Sequence, residues 1–149
     1  VKKGAKPQTI ARRHAVGDAL AEPNPTSKFA GTNAIEAPFI MKHGGYYYLF
    51  VSWDYCCRGI KSNYRVAVGR SKKVAGPYLD RNGKDMRQGG GTIFIEGDKR
   101  EFEAAGHCSA YSFADGDWFV CHGYSIQKNG APLLIQKKIT WTADGWPRL

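Results

Sequence analysis

The chain has 149 residues, 13% of them aromatic, with 18 glycines and a formal net charge of +9. That length suits one ordinary domain with a core of its own. No apolar run is long enough to span a bilayer, and scarce helix-forming stretches among many aromatics and glycines indicate an all-β protein. The charge invites a nucleic-acid reading, because cations that neutralise phosphate supply most non-specific affinity. The basic pairs Lys2-Lys3, Arg12-Arg13, Lys72-Lys73 and Lys137-Lys138 are scattered, however, and no RNP, KH or zinc-finger pattern accompanies them. They read as a solvated basic surface.

In chain order, the leading segment offers one outer strand, QTIARRH, followed by a linker. PFIMKH breaks at Gly44-Gly45 and resumes as YYYLFVSWD, a hairpin signal with aromatic and β-branched flanks. After the loop YCCRGIKSN, the stretch YRVAVGRS alternates apolar and polar residues. AGPYLDRNGKD is turn chemistry and GTIFIEGD a further short strand. Then the series begins again with GHCSAYSF, the turn ADGD, WFVCHGYS, a loop, PLLIQKKIT and ADGWP.

The recurrence marks a repeat. A slide of 71 residues lays Gly45 on Gly116, Tyr47 on Trp118 and Trp53 on Tyr124. Each unit then holds about four short antiparallel strands, and such sheets in radial array are propeller blades. An ordinary β-sandwich with coincidental spacing is the plainer alternative. On the propeller reading, residues 1–35 are an outer strand and linker from a preceding blade, 36–100 one blade and 101–149 the final blade. Two blades do not close a ring, so the chain is expected to be a fragment or one half of an assembly.

Four cysteines, Cys56, Cys57, Cys108 and Cys121, match no common zinc spacing. Adjacent Cys56 and Cys57 could bond only through a strained ring, and Cys108 and Cys121 read as neighbours slightly out of register. Four free, mostly buried thiols are expected.

The same slide lays Glu36 on His107, each just before the first strand of its unit. The first strand of a blade is the innermost, so both side chains would point toward a central axis. Glu36 alone could be a solvated loop carboxylate. Its apolar neighbours Ile35, Ala37, Pro38 and Phe39 favour the neutral, proton-donating form of a carboxyl. His107 is either a hydrogen-bonded core histidine or a group that holds a metal or a bridging water.

The blocks NAIEAPFIMKHGGYYYLFVSWDYCCRGI, YRVAVGRSKKVAGPYLDRNGKDM, GGGT, AGHCSAYS, DWFVCHGYS and ADGWP, together covering Asn33 to Pro147, resemble the endo-arabinanases of glycoside hydrolase family 43. The resemblance implies part of a five-bladed β-propeller that cleaves internal α-1,5 bonds of arabinan, a pectin side chain, with inversion. It places the general acid on Glu36, a calcium ion and its waters at His107, and sugar contacts at Trp53 and Cys56, although Trp53 could equally be core. It also implies export from the cell.

One departure stands out. Inverting glycosidases need a second carboxylate about 6.5–9.5 Å from the acid. In this family the base and a further tuning aspartate lie upstream of anything matched here, while Asp54, Asp115, Asp117 and Asp144 read as turn or loop residues. The expected partner is therefore a second polypeptide carrying the first blades, besides the arabinan substrate. A non-catalytic carbohydrate-binding propeller fragment and a basic nucleic-acid module are the rival readings, the latter without a recognition motif.

Overall fold

The structure is a computed structural model that describes residues 3–18 and 34–149. Its first sheet has the order β1-β2-β3-β4, formed by Ile35–His43, Tyr46–Trp53, Arg65–Ser71 and Thr92–Ile95. Gly44 and Gly45, at φ +53° and +83°, close the β1–β2 hairpin, and His43 pairs with Tyr46 across it. Both glycines hold the positive φ that a two-residue turn of this twist demands. The second sheet has the order β5-β6-β7, formed by Phe102–Phe113, Gly116–Ser125 and Ala131–Lys138. All pairings in both sheets are antiparallel.

Met41, Tyr48, Phe50, Val66 and Val68 of the first sheet share one core with Ala105, Cys108, Ala110, Phe119, Cys121 and Ile135 of the second. The Phe94 ring sits between Phe50 and Phe119, with centroids 5.1 and 4.9 Å away. The other face of the first sheet buries Leu49, Val51, Trp53 and Ala67 against Tyr78 and Met86, with Ile10 and Ala11 packed on them. Coverage on both faces explains why β2 is apolar almost without alternation. Two sequential antiparallel sheets stacked face to face are the arrangement of adjacent propeller blades.

Two predicted elements differ. Residues 8–14, expected as an outer strand, form none. They are held by the Arg12 N–H donating to the Met86 carbonyl at 2.8 Å and by the Arg13 side chain on Asp54, rather than by a ladder. Most of the predicted linker, residues 19–33, lies outside the described residues. The second sheet has three strands, not four. After β7 the Ile139 N–H donates to the Asp117 carbonyl, and residues 140–148 pair with themselves as β8 (Thr140–Trp141) and β9 (Pro147–Arg148). This hairpin returns to the first sheet because its aromatics have better partners there. Trp141 stacks on His43 at 3.7 Å, Trp146 enters the shared core, and the Tyr48 hydroxyl donates to the Gly145 carbonyl.

The register also corrects the repeat. The first hairpin closes at His43–Tyr46 and the second at Phe113–Gly116, an offset of 70 residues. Both first strands carry an irregularity, between Glu36 and Phe39 and between Gly106 and Ser109, at the same offset. Glu36 is therefore equivalent to Gly106, and His107 to Ala37. The latter two share a left-handed backbone, at φ +54° and +47°.

Candidate active site

Glu36 pairs with Ser52 at the start of β1, immediately before the irregularity at Ala37. Its side chain is exposed and accepts a hydrogen bond from the Tyr64 hydroxyl, which reaches it from the entrance of β3. Burial, followed by this bond to Glu36, pushes the Tyr64 hydroxyl far above the ordinary phenol range. Tyr64 is thus a permanent donor to Glu36.

The Tyr64 ring rests against the second sheet. A β-carbon at Gly106 would come within 2.2 Å of it, so only glycine fits there. The Ala105 N–H also donates to the Tyr64 carbonyl at 3.0 Å. His107 follows, exposed, with its ring 6.1 Å from that of His122, which in turn lies 5.9 Å from the Tyr64 ring. His122 Nε2 is 3.1 Å from the Tyr124 hydroxyl. Burial first, and then His107, hold His122 below the ordinary imidazole value against an opposing pull from Glu36. A neutral imidazole can both donate and accept a hydrogen bond. The expected meeting of Glu36 and His107 is thus mediated, with Tyr64 and His122 standing between them.

Cys56 packs against Tyr64, Ala104 and Tyr124, and its thiol feels the Glu36 charge. Burial, followed by contact with Cys57, raises that thiol to about 11. The Cys57 N–H donates to the Tyr124 hydroxyl at 2.7 Å, which fixes the loop to the second sheet. All four cysteines are free, with Cys108 and Cys121 buried, Cys56 half-buried and Cys57 exposed.

Trp53 lies elsewhere. It is 6% exposed and belongs to the core of the first sheet, and the Arg13 guanidinium covers its ring at 4.3 Å. A β-carbon at Gly91 would sit 2.6 Å from the same ring. The indole therefore presents no free face for a sugar. Next to it, Asp54 is 3% exposed and clamped by Arg13 at 2.8 Å and Arg65 at 3.0 Å.

The remaining aspartates have partners too, though those of Asp115 and Asp144 lie in exposed surface pairs. Asp80 and Asp98 cap turns through backbone N–H groups, as Asp18 caps Ala15. Asp85 pairs with Arg87, Asp115 with Lys138, Asp117 with His43 and Asp144 with Arg81. Each of these aspartates thus already has a partner in the described structure. Among the described residues no three His, Cys, Asp or Glu side chains group around a metal.

Tyr64, His122 and Tyr124 were not legible as site residues in the sequence. His122 and Tyr124 share a face of β6 by strand alternation, but nothing in a single chain separates such residues from core aromatics.

The sequence model of Glycosyl hydrolases family 43 matches residues 8–147. The extracellular exo-alpha-(1->5)-L-arabinofuranosidase ArbA of Cellvibrio japonicus is 48% identical over 120 residues, covering 80% of this chain and 34% of that protein. The extracellular endo-alpha-(1->5)-L-arabinanase 1 of Bacillus subtilis is 43% identical over 76% of this chain and 34% of its own length. The crystal structure of an exo-1,5-alpha-L-arabinanase from a bovine ruminal metagenomic library superposes with a TM-score of 0.82 at 51% identity, over 97% of this chain and 43% of that one. The chain spans about a third of the length of these curated relatives.

Proposed function

The chain belongs to glycosyl hydrolase family 43, and from that membership we propose that it supplies the general-acid half of an arabinan-cleaving site. The observation that carries this reading is the exposed Glu36 carboxyl, held by the hydroxyl of Tyr64, whose ring rests against Gly106 of the second sheet. In this role Glu36 donates its proton to the glycosidic oxygen as the bond to the anomeric carbon breaks. Water attacks the opposite face and inverts the centre, with internal α-1,5 bonds of arabinan as the substrate. Cys56, beside Glu36, is the proposed sugar contact; Trp53 is not, because its faces are covered.

The general base comes from outside these 149 residues, on the remaining blades of the ring. The commitment of every described aspartate to a turn or an ion pair supports this division. A calcium ion at His107 would take its oxygen ligands largely from water, with no step of the reaction on it. An extracellular location follows the names of the relatives.

Glu36→Ala in the complete ring tests the acid. Turnover of linear arabino-oligosaccharides should fall by about 10²–10⁴-fold. An aryl arabinoside, whose leaving group needs no proton, should be far less affected. Near-normal turnover of the oligosaccharide by the variant excludes the role. The 149-residue chain alone should bind arabino-oligosaccharide without releasing reducing ends.

A further inference from the structure

One unassigned feature is a cleft of about 510 Å³ at the hairpin end of the first sheet, lined by Tyr46, Arg70, Lys72, Lys73, Leu79, Arg81 and Trp146 among others. Glu36 begins β1 and the cleft adjoins the far end of that strand, roughly 20 Å away by strand rise. It is therefore separate from the candidate active site.

Its charges are arranged for an anion. The Arg70 guanidinium is held between two rings, 4.6 Å from the centres of both Tyr46 and Trp146, and donates to the Asp144 carbonyl at 2.6 Å. That sandwich fixes one planar fork, the geometry that suits a carboxylate. Arg81 pairs with Asp144 at 3.1 Å, but both side chains are about half exposed, so an incoming anion can exchange with this weak surface pair. Lys72 and Lys73 are exposed and make no ion pair among the described residues. The one acid in the lining, Asp80, is 8% exposed and accepts backbone N–H groups from Asn82, Lys84 and Gly91. Its charge is largely spent inside the loop.

Leu79, 39% exposed, supplies an apolar wall beside the cations, and the Tyr46 ring carries Arg70 at 4.6 Å and Lys72 at 6.0 Å. A ligand that fills the cleft needs anionic groups spaced along apolar ring faces. We infer that the cleft binds a carboxylate-bearing oligosaccharide, a short uronate chain, independently of Glu36. The choice of a saccharide over a phosphate polymer rests on the glycosidase reading and on this apolar wall, which phosphate groups cannot use.

The test titrates the 149-residue chain with hexagalacturonate, neutral arabinohexaose and inorganic hexametaphosphate, by calorimetry at low and at physiological salt. Hexagalacturonate should bind and weaken as salt rises, with no competition from arabinohexaose. In the double variant Lys72→Glu/Lys73→Glu affinity should drop by about tenfold or more, with an unchanged circular dichroism spectrum. No binding, equal binding by the double variant, or tighter binding of the phosphate oligomer would each overturn the inference. Turnover plays no part in this measurement, so a failure of the Glu36 assay and a failure here are separate outcomes.

Discussion

The backbone N–H of His107 donates to the Oγ of Ser52 at 2.9 Å, across the boundary between the two sheets. Ser52 is fully buried and pairs with Glu36 on the neighbouring strand. The contact exists because the register of β5 breaks between Gly106 and Ser109, with His107 at φ +54°. A strand irregularity frees a donor that a regular ladder would consume. The candidate acid and the candidate ion-organising histidine thus both contact one buried residue, Ser52, and relative motion of the sheets would disturb both.

Removing the Tyr64 hydroxyl should leave the fold and impair the acid. In the complete ring, Tyr64→Phe should lower kcat by about 10- to 100-fold through loss of Glu36 orientation, with KM nearly unchanged. Steady-state kinetics on linear arabino-oligosaccharide checks this. A rise in KM with kcat preserved would instead make Tyr64 a substrate contact.

Gly106→Ala should be costly, because the added methyl would fall 2.2 Å from the Tyr64 ring. Overpacking of this kind destabilises by about 1–3 kcal/mol. A urea titration should show a lower midpoint, and Gly116→Ala, where nothing lies within 4 Å, should cost less despite its own positive φ.

Asp54→Ala should release the leading segment. The clamp joins Arg13 to Asp54 and Arg65, and its loss leaves two guanidinium groups beside Trp53 without their anion. The cost should be about 2–3 kcal/mol, below that of a fully buried pair because both arginines can rehydrate. Faster proteolysis within residues 3–18 is the expected readout.

Asp98 makes one loop acid-sensitive. Backbone N–H groups of Phe102, Arg100 and Glu101 hold its carboxyl down to about 2, from an ordinary 3.8. A depressed carboxyl stabilises the folded state above its unfolded value and loses that contribution as pH falls through the folded one. Protection of the Phe102 amide, measured against its intrinsic exchange rate, should therefore fall between about pH 4 and pH 2, and Asp98→Ala should remove that dependence.

Thiol reactivity should follow exposure. Cys57 is exposed, whereas burial pushes Cys108 and Cys121 up to about 12. Iodoacetamide at neutral pH should label Cys57 first and leave the two buried thiols unmodified until the protein is unfolded. Mass mapping of the labelled peptides checks the order.

Glu36 could be singled out in the sequence because an acid before PF, at the entrance of an aromatic strand, is chemically odd. Its pairing with His107 was legible only to within one residue, since a bulge changes register without changing composition. The sheets themselves were readable from strand alternation and from Gly44-Gly45. The last hairpin was not, because PLLIQKKIT and ADGWP have the same local character whether they extend one sheet or cap another.

Local chemistry alone settled most strands of the two sheets and the turn at Gly44-Gly45, since periodicity and motif blocks are properties of neighbours in the chain. Tertiary packing decided what each aromatic and acid does. Trp53 became core because Arg13 and Gly91 cover its faces. Tyr64 became the partner of Glu36 because Gly106, distant in sequence, leaves room for its ring. Such roles depend on which surfaces meet, and a linear chain does not carry that information residue by residue.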